Sequence, residues 1–213
     1  MGQGWKAGPS MTESGAARAY HHGDLRKALL VAAEAELAEK GVEGFTLRGC
    51  AKRAGVSHAA PAHHFKDANA LLTALAAVAA ERLYRSMEDR HARAEKTPRA
   101  QLIASGVGYV EFALANPALF KLMFGSERPN SSDELLKKQS GAAFMVLVND
   151  VRAQIGGDPL ASEAGLLDIA AAWSLVHGIA NLLIANRMGF LRPMLERDFE
   201  GTITGLVTRI VPS

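Results

Sequence analysis

The stretch from Thr46 to Lys66, TLRGCAKRAGVSHAAPAHHFK, constrains this chain more than any other. It reads as two short helices joined by a tight turn. Leu47, Cys50, Ala51 and Ala54 recur at helical spacing and so share one face that can be buried. Thr46 stands where an N-cap belongs, its hydroxyl placed to accept an orphan backbone N–H. Gly55 follows the last periodic residue, where a helix end calls for a left-handed backbone. Val56 then points back to a core, and Ser57 is positioned to cap a second helix running from His58 to Phe65. The stretch carries Arg48, Lys52, Arg53 and Lys66 and no acidic residue. A helix pair with one basic surface is the footprint of a protein that lays a helix in the major groove of DNA. A basic face alone is usually just solvated, so the weight rests on the spacing of cap, Ala-Gly-Val-Ser turn and aromatic stop.

The flanking sequence is helical throughout. Leu25, Leu29, Ala33 and Leu37 fall at steps of four and predict a buried stripe on a first helix. Asp24 suits its positive N-terminal end, Lys40-Gly41 closes it, and Phe45 anchors the loop that follows. Asp67 can cap a long helix from Ala68 to about Ala94, apolar first and charged later, which would join a reading head to a second domain. Thr97-Pro98 opens the next helix and Asn116-Pro117 ends it. A short helix follows from Pro117 to Phe124, then a loop from Gly125 to Ser132. Further helices are expected at Asp133–Ile155, at about Ser162–Asn186, and from Pro193 or Asp198 to Ile210. There is no strand pattern and no internal repeat. The chain of 213 residues, 48% hydrophobic but only 6% aromatic and rich in alanine, fits an all-α fold of closely packed helices. The expected organisation is a disordered arm over residues 1–19, a DNA-binding domain over 23–83 with its helix-turn-helix at 46–65, and a C-terminal ligand-binding and dimerisation domain over 97–213.

The remaining composition mostly excludes. A formal net charge of +2 argues nothing by itself; only its clustering in residues 46–66 is informative. Cys50 is the only cysteine, so no intramolecular disulfide forms, which fits a reducing compartment. The N-terminus lacks the apolar core of a signal peptide, and no segment approaches the apolar length that spans a bilayer. A soluble cytoplasmic protein with no membrane partner is expected. His58, His63 and His64 do not share one helical face, and no His-Glu-x-x-His pattern is present, so no metal site is expected. No P-loop or nucleophile elbow is present. Gly106-Val107-Gly108 follows no strand and is not a dinucleotide fingerprint. Neither catalytic residues nor a cofactor are expected.

Taken with the helix before it, this segment resembles the N-terminal domain of the TetR family of transcriptional regulators. The resemblance rests on Leu29 to Gly41, Thr46-Leu47-Arg48, Ala51, Ala54-Gly55-Val56-Ser57, His64-Phe65-Lys66-Asp67 and Leu71-Leu72. It implies a two-domain, all-helical, homodimeric DNA-binding protein with a ligand pocket in its C-terminal half. The expected contacts to a double-stranded operator are Thr46, Arg48, Lys52, Ser57, His58, Ala59, His63, His64 and Lys66. Arg48, His58 and Ala59 can reach base edges or touch only phosphate. The sequence departs from the family pattern: Ala62 stands where a phosphate-binding tyrosine is usual, Ala68 where a lysine is usual, Ala60 replaces a common threonine, and Pro61 lies inside the short helix.

The C-terminal half concentrates its large side chains. Phe112, Phe120, Met123, Phe124, Phe144 and Trp173 can line an apolar cavity, with His177 and Asn181 as polar groups on the same helical face as Trp173. Each of them could equally be ordinary core. Trp173-x-x-x-His177-Gly178 also resembles the Trp-His-Gly C-terminal domain of one TetR subgroup. Two apolar stripes, Leu166, Ile169, Trp173, Val176 and Ala180, then Phe199, Ile203, Leu206 and Ile210, suggest a homodimer through the last two helices; otherwise they close the monomer core. The reading is a homodimeric, ligand-responsive repressor with a small apolar effector. The alternatives are a helical carrier or enzyme using the His177 pocket, and a protein-interaction adaptor.

Overall fold

The computed structural model describes residues 22–209. The expected arm over residues 1–19 and the end of the last stripe, Ile210, lie outside the described residues. The elements are α1 (His22–Lys40), α2 (Leu47–Arg53), a 3-10 turn at Ala60–His63, α3 (Ala68–Arg93), α4 (Pro98–Ala115), α5 (Pro117–Gly125), α6 (Glu134–Ile155), α7 (Glu163–Ile184), α8 (Arg192–Arg197) and α9 (Phe199–Thr208). No strand occurs among the described residues. The fold is all-α, as expected.

Local chemistry sets most boundaries. Side chains of Thr46, Asp67, Thr97, Asp133, Ser162 and Asp198 each accept a backbone N–H at a helix start. Gly41, Gly55 and Gly156 close helices with φ of +67°, +68° and +69°. The last expected helix has both of its candidate starts, as the separate helices α8 and α9.

α3 is the spine. Leu71, Leu72, Leu75, Ala76, Ala79 and Leu83 on it are all buried. Its small residues let α4 pack closely. A Cβ at Gly108 of α4 would lie 2.5 Å from the Ser86 carbonyl oxygen and 2.8 Å from the Met87 Cα. The Ser86 hydroxyl donates to the Gly108 carbonyl across the same contact at 2.8 Å. Gly108 is therefore a packing device, and at Gly106 a Cβ would press on Val176 of α7 at 3.1 Å. On α1, Leu29, Ala33 and Leu37 are buried, and Phe45 is 3% exposed behind them. Arg82 on α3 grips Glu34 on α1 through two hydrogen bonds of 2.7 and 2.8 Å.

α7 differs from expectation in two ways. It is long and apolar enough to cross a membrane by length and composition. It is apolar because two faces of it are apolar. Ile169, Val176 and Ala180 from the expected interface stripe turn inward and close the monomer, and only Leu166 and Trp173 of that set are exposed. The exposed apolar stripe is its neighbour: Leu167, Ala171, Leu182 and Ala185, with half-buried Gly178 between them; Leu167 is 69% exposed and Leu182 42%. Phe199, Ile203 and Leu206 of α9 likewise pack on the core.

Candidate nucleic-acid interface and cavity

α2 begins at Thr46, whose Oγ1 accepts the Gly49 N–H at 3.0 Å. It ends in a paired closure, with Val56 N–H donating to Ala51 O at 3.1 Å and Gly55 N–H to Lys52 O at 3.2 Å. This closure turns the chain back so that Phe65 (4% exposed) and Pro61 enter the core. Thr46, Arg48, Lys52, Ser57, His58, Ala59, His63 and Lys66 are exposed, while His64 is half-buried.

Two details depart from the sequence reading. The second helix is not an α-helix from His58 to Phe65: residues 58 and 59 form a turn and Ala60–His63 a single 3-10 turn. Pro61 is the cause. It has no N–H to give to Ser57 O, and Ala60 N–H takes that carbonyl instead at 3.0 Å. No side chain caps this turn, so Ser57 does not act as its cap. Secondly, Arg53 belongs to α1 rather than to the basic face. Its Nε donates to Glu36 Oε2 at 2.5 Å and its Nη2 to Glu39. These two carboxylates raise the Arg53 pKa, chiefly through the hydrogen bond to Glu36. Gly49 is explained by the same approach, since a Cβ there would lie 2.0 Å from Glu36 Oε1. The cations left on the exposed surface are Arg48, Lys52 and Lys66. Cys50 beside them is fully buried, and burial pushes its thiol up to about 12.

In the C-terminal half, α3, α4, α5, α6, α7 and α9 line a cavity of about 230 Å³ that opens to the surface. Met123, Phe124, Phe144 and Trp173, all named from sequence, line it. Phe124, Phe144 and Trp173 are 36–39% exposed and meet edge-on or tilted, with ring centroids 6.3 Å apart for Phe124–Trp173 and 6.0 Å for Phe144–Trp173. The other four do not line it. Phe112 and Phe120 are core. His177 lies behind the wall against Phe120, at 5.2 Å between ring centroids. Asn181 is exposed and donates to the His177 backbone carbonyl at 3.0 Å. Sequence reasoning missed Met87, Ser105, Ser140 and, above all, Tyr109 on the wall. Its oxygen lies 2.8 Å from His177 Nδ1 and accepts Trp173 Nε1–H at 3.3 Å. Burial lowers the His177 pKa and raises that of Tyr109, keeping both neutral. A second, open cleft of about 630 Å³ lies between the end of α3 and α6, with His91 and Asp150 paired at 3.1 Å in it.

The loop between α5 and α6 ties the two halves together. Arg128 donates to Asn69 Oδ1 at the start of α3 (2.9 Å) and to the Val42 carbonyl after α1. Asn130 N–H donates to Thr73 Oγ1 at 2.9 Å.

Family models match both halves. One described as bacterial regulatory proteins, tetR family, covers residues 29–75. One described as Tetracyclin repressor-like, C-terminal domain, covers residues 102–206. No curated protein matches the chain. Among solved structures, it is similar to a protein with unknown function from Rhodococcus sp. RHA1, at 35% identity over 90% of this chain and 94% of that one, with a TM-score of 0.69. It shares a fold with FadR from Bacillus subtilis in complex with stearoyl-CoA (16% identity, 85% and 96% covered, TM-score 0.60). It also shares one with a TetR variant from Acinetobacter baumannii AYE in complex with minocycline (20% identity, 91% and 99% covered, TM-score 0.55). The two matched stretches fall on the capped turn with its basic surface and on the helices around the cavity, and the chain belongs to the tetR family of bacterial transcriptional regulators.

Proposed function

We propose that this regulator is a cytoplasmic, ligand-responsive repressor that binds a near-palindromic operator as a homodimer. The observation that carries the reading is the exposed, acid-free surface of residues 46–66 on a rigid double-capped frame. Arg48 and Lys52 are the principal contacts, with Thr46, Ser57, His58, Ala59, His63 and Lys66 around them; the half-buried His64 contributes least. Ala62 and Ala68 offer no polar side chain to phosphate, so His63 and Lys66 take a larger share. Two such heads, about 34–36 Å apart, would enter successive major grooves on one side of the duplex.

The exposed stripe of α7 supports the homodimer. Leu167, Leu182 and the small residues between them would let two helices approach closely across a two-fold axis. The wiring from cavity to head supports the response. A guest between Phe124 and Phe144 would shift α5 against α6, and the loop joining them holds Val42, Asn69 and Thr73 through Arg128 and Asn130. A ligand moves the head only by binding its two positions with different affinity. The Trp173-x-x-x-His177-Gly178 motif on α7 supports placing the C-terminal domain in the Trp-His-Gly subgroup. Footprinting of purified protein on the DNA upstream of its own gene, with sedimentation of the complex, tests the reading. It predicts a protected palindrome carrying two chains or a multiple of two. A monomer at micromolar concentration, or no protected site, would refute it.

A further inference from the structure

The cavity's polar inventory identifies the class of molecule that fits it. No charged side chain lines it. The hydroxyls on its wall are those of Ser105, Tyr109 and Ser140. Each has its proton engaged within the protein. Ser105 Oγ donates to Leu102 O at 3.0 Å, and Ser140 Oγ donates to Leu136 O. The Tyr109 proton is assigned by the network around it. Trp173 Nε1 can only donate, and it donates to the Tyr109 oxygen. We assign neutral His177 the tautomer with its proton on Nε2, on the half-buried side away from Tyr109; Nδ1, 2.8 Å from the phenol oxygen, then accepts the phenol proton. The indole N–H and all three hydroxyl protons are therefore taken, while the serine oxygens keep lone pairs. Met87 and Met123 add adaptable, weakly accepting surface.

We infer that the cavity selects an uncharged, largely hydrocarbon molecule, tolerates one that brings its own hydrogen-bond donor, and rejects carboxylates and carbonyl compounds. This rests on the reading of the cavity as the effector site. A carboxylate would leave water for a pocket with no cation and no free N–H or O–H. A ketone would lose its hydrogen bonds to water without replacement. A phenol or alcohol can donate to a serine oxygen. Size narrows the class further. A dry apolar cavity of about 150 Å³ holds benzene, so this one holds a molecule of about nine non-hydrogen atoms.

Calorimetric titration of the full chain at neutral pH with ethylbenzene, 4-ethylphenol, acetophenone and benzoate tests this, since the four are close in size. Ethylbenzene and 4-ethylphenol should bind. Acetophenone should bind at least about fivefold more weakly than 4-ethylphenol, and benzoate at least about a hundredfold more weakly. In Tyr109→Phe the Trp173 N–H loses its acceptor, so acetophenone should gain affinity while 4-ethylphenol does not. Acetophenone or benzoate binding as tightly as 4-ethylphenol would overturn the inference, as would no binding by any of the four. Release of bound operator duplex is followed in parallel. If the neutral compounds bind and the duplex stays bound, the ligand class stands and the effector reading falls. If benzoate binds and releases the duplex, the effector reading stands and the class falls.

Discussion

Gly108→Ala gives the clearest test of the packing that positions both halves. In the middle of a helix, alanine is favoured over glycine by about 1 kcal/mol. At position 108 the new methyl would meet the Ser86 carbonyl oxygen at 2.5 Å and the Met87 Cα at 2.8 Å, backbone atoms of α3 that cannot rotate away. Overpacking of this kind costs about 1–3 kcal/mol, and contact with backbone rather than a side-chain tip puts it at the upper end or beyond. The expected net loss is about 2 kcal/mol, which for a chain of this length lowers the melting temperature by about 4–8 °C. Gly141 in α6 is the control, because a methyl there meets nothing within 4 Å. Gly141→Ala should raise the melting temperature slightly. Thermal unfolding followed by far-ultraviolet circular dichroism separates the two. If both variants melt at or above the wild-type temperature, the close approach of α3 and α4 does not exist as described.

Cys50 should resist a thiol reagent such as Ellman's reagent in the folded protein at pH 8 and react only on unfolding, because it is fully buried with its thiol pushed up to about 12; rapid native labelling would contradict this. His91 should make stability fall with pH on the alkaline side of its ordinary value. Its hydrogen bond to Asp150 raises its folded pKa, so the contribution is complete below about pH 6.5 and is lost as pH rises through the raised value. His91→Gln should flatten that slope in chemical denaturation, and an unchanged slope would refute the assignment. Arg128→Ala should leave cavity binding intact but weaken the coupling between ligand and duplex, measured as the change in duplex affinity caused by 4-ethylphenol. Unchanged coupling would remove the loop from the proposed route.

The sequence was most informative where structure is decided within a few residues. Thr46, Asp67, Thr97, Asp133 and Ser162 cap the helices expected of them because a short side-chain oxygen and an orphan N–H three residues on are enough. The glycines at 41, 55 and 156 follow for the same reason. Expectation failed where a distant partner decides. Arg53 counted as part of a basic face until Glu36 and Glu39, on another helix, took it. Ser57 and Pro61 read as the opening of an α-helix, but the missing Pro61 N–H moves the hydrogen bonds to a 3-10 pattern. The periodicity of α7 pointed to one apolar stripe, whereas the helix has two, and its total apolarity reaches bilayer length. Of the cavity, Met123, Phe124, Phe144 and Trp173 were legible, whereas Phe112 and Phe120 went to the core and Met87 was not foreseen. Nor was Tyr109, since nothing local marks a tyrosine 64 residues before the tryptophan that donates to it.

The central claim is that Arg48 and Lys52 face the phosphates of a duplex while Arg53 does not. The salt dependence of binding to the protein's own upstream DNA tests it directly, comparing wild type with Arg48→Ala, Lys52→Ala and Arg53→Ala at a temperature where all are folded. Each lost phosphate contact should reduce the slope of log affinity against log salt by about 0.9. Arg48→Ala and Lys52→Ala should each show that reduction, and Arg53→Ala should keep the wild-type slope. A wild-type affinity that does not change with salt, or a slope reduced by Arg53→Ala and left intact by the other two, would contradict the account.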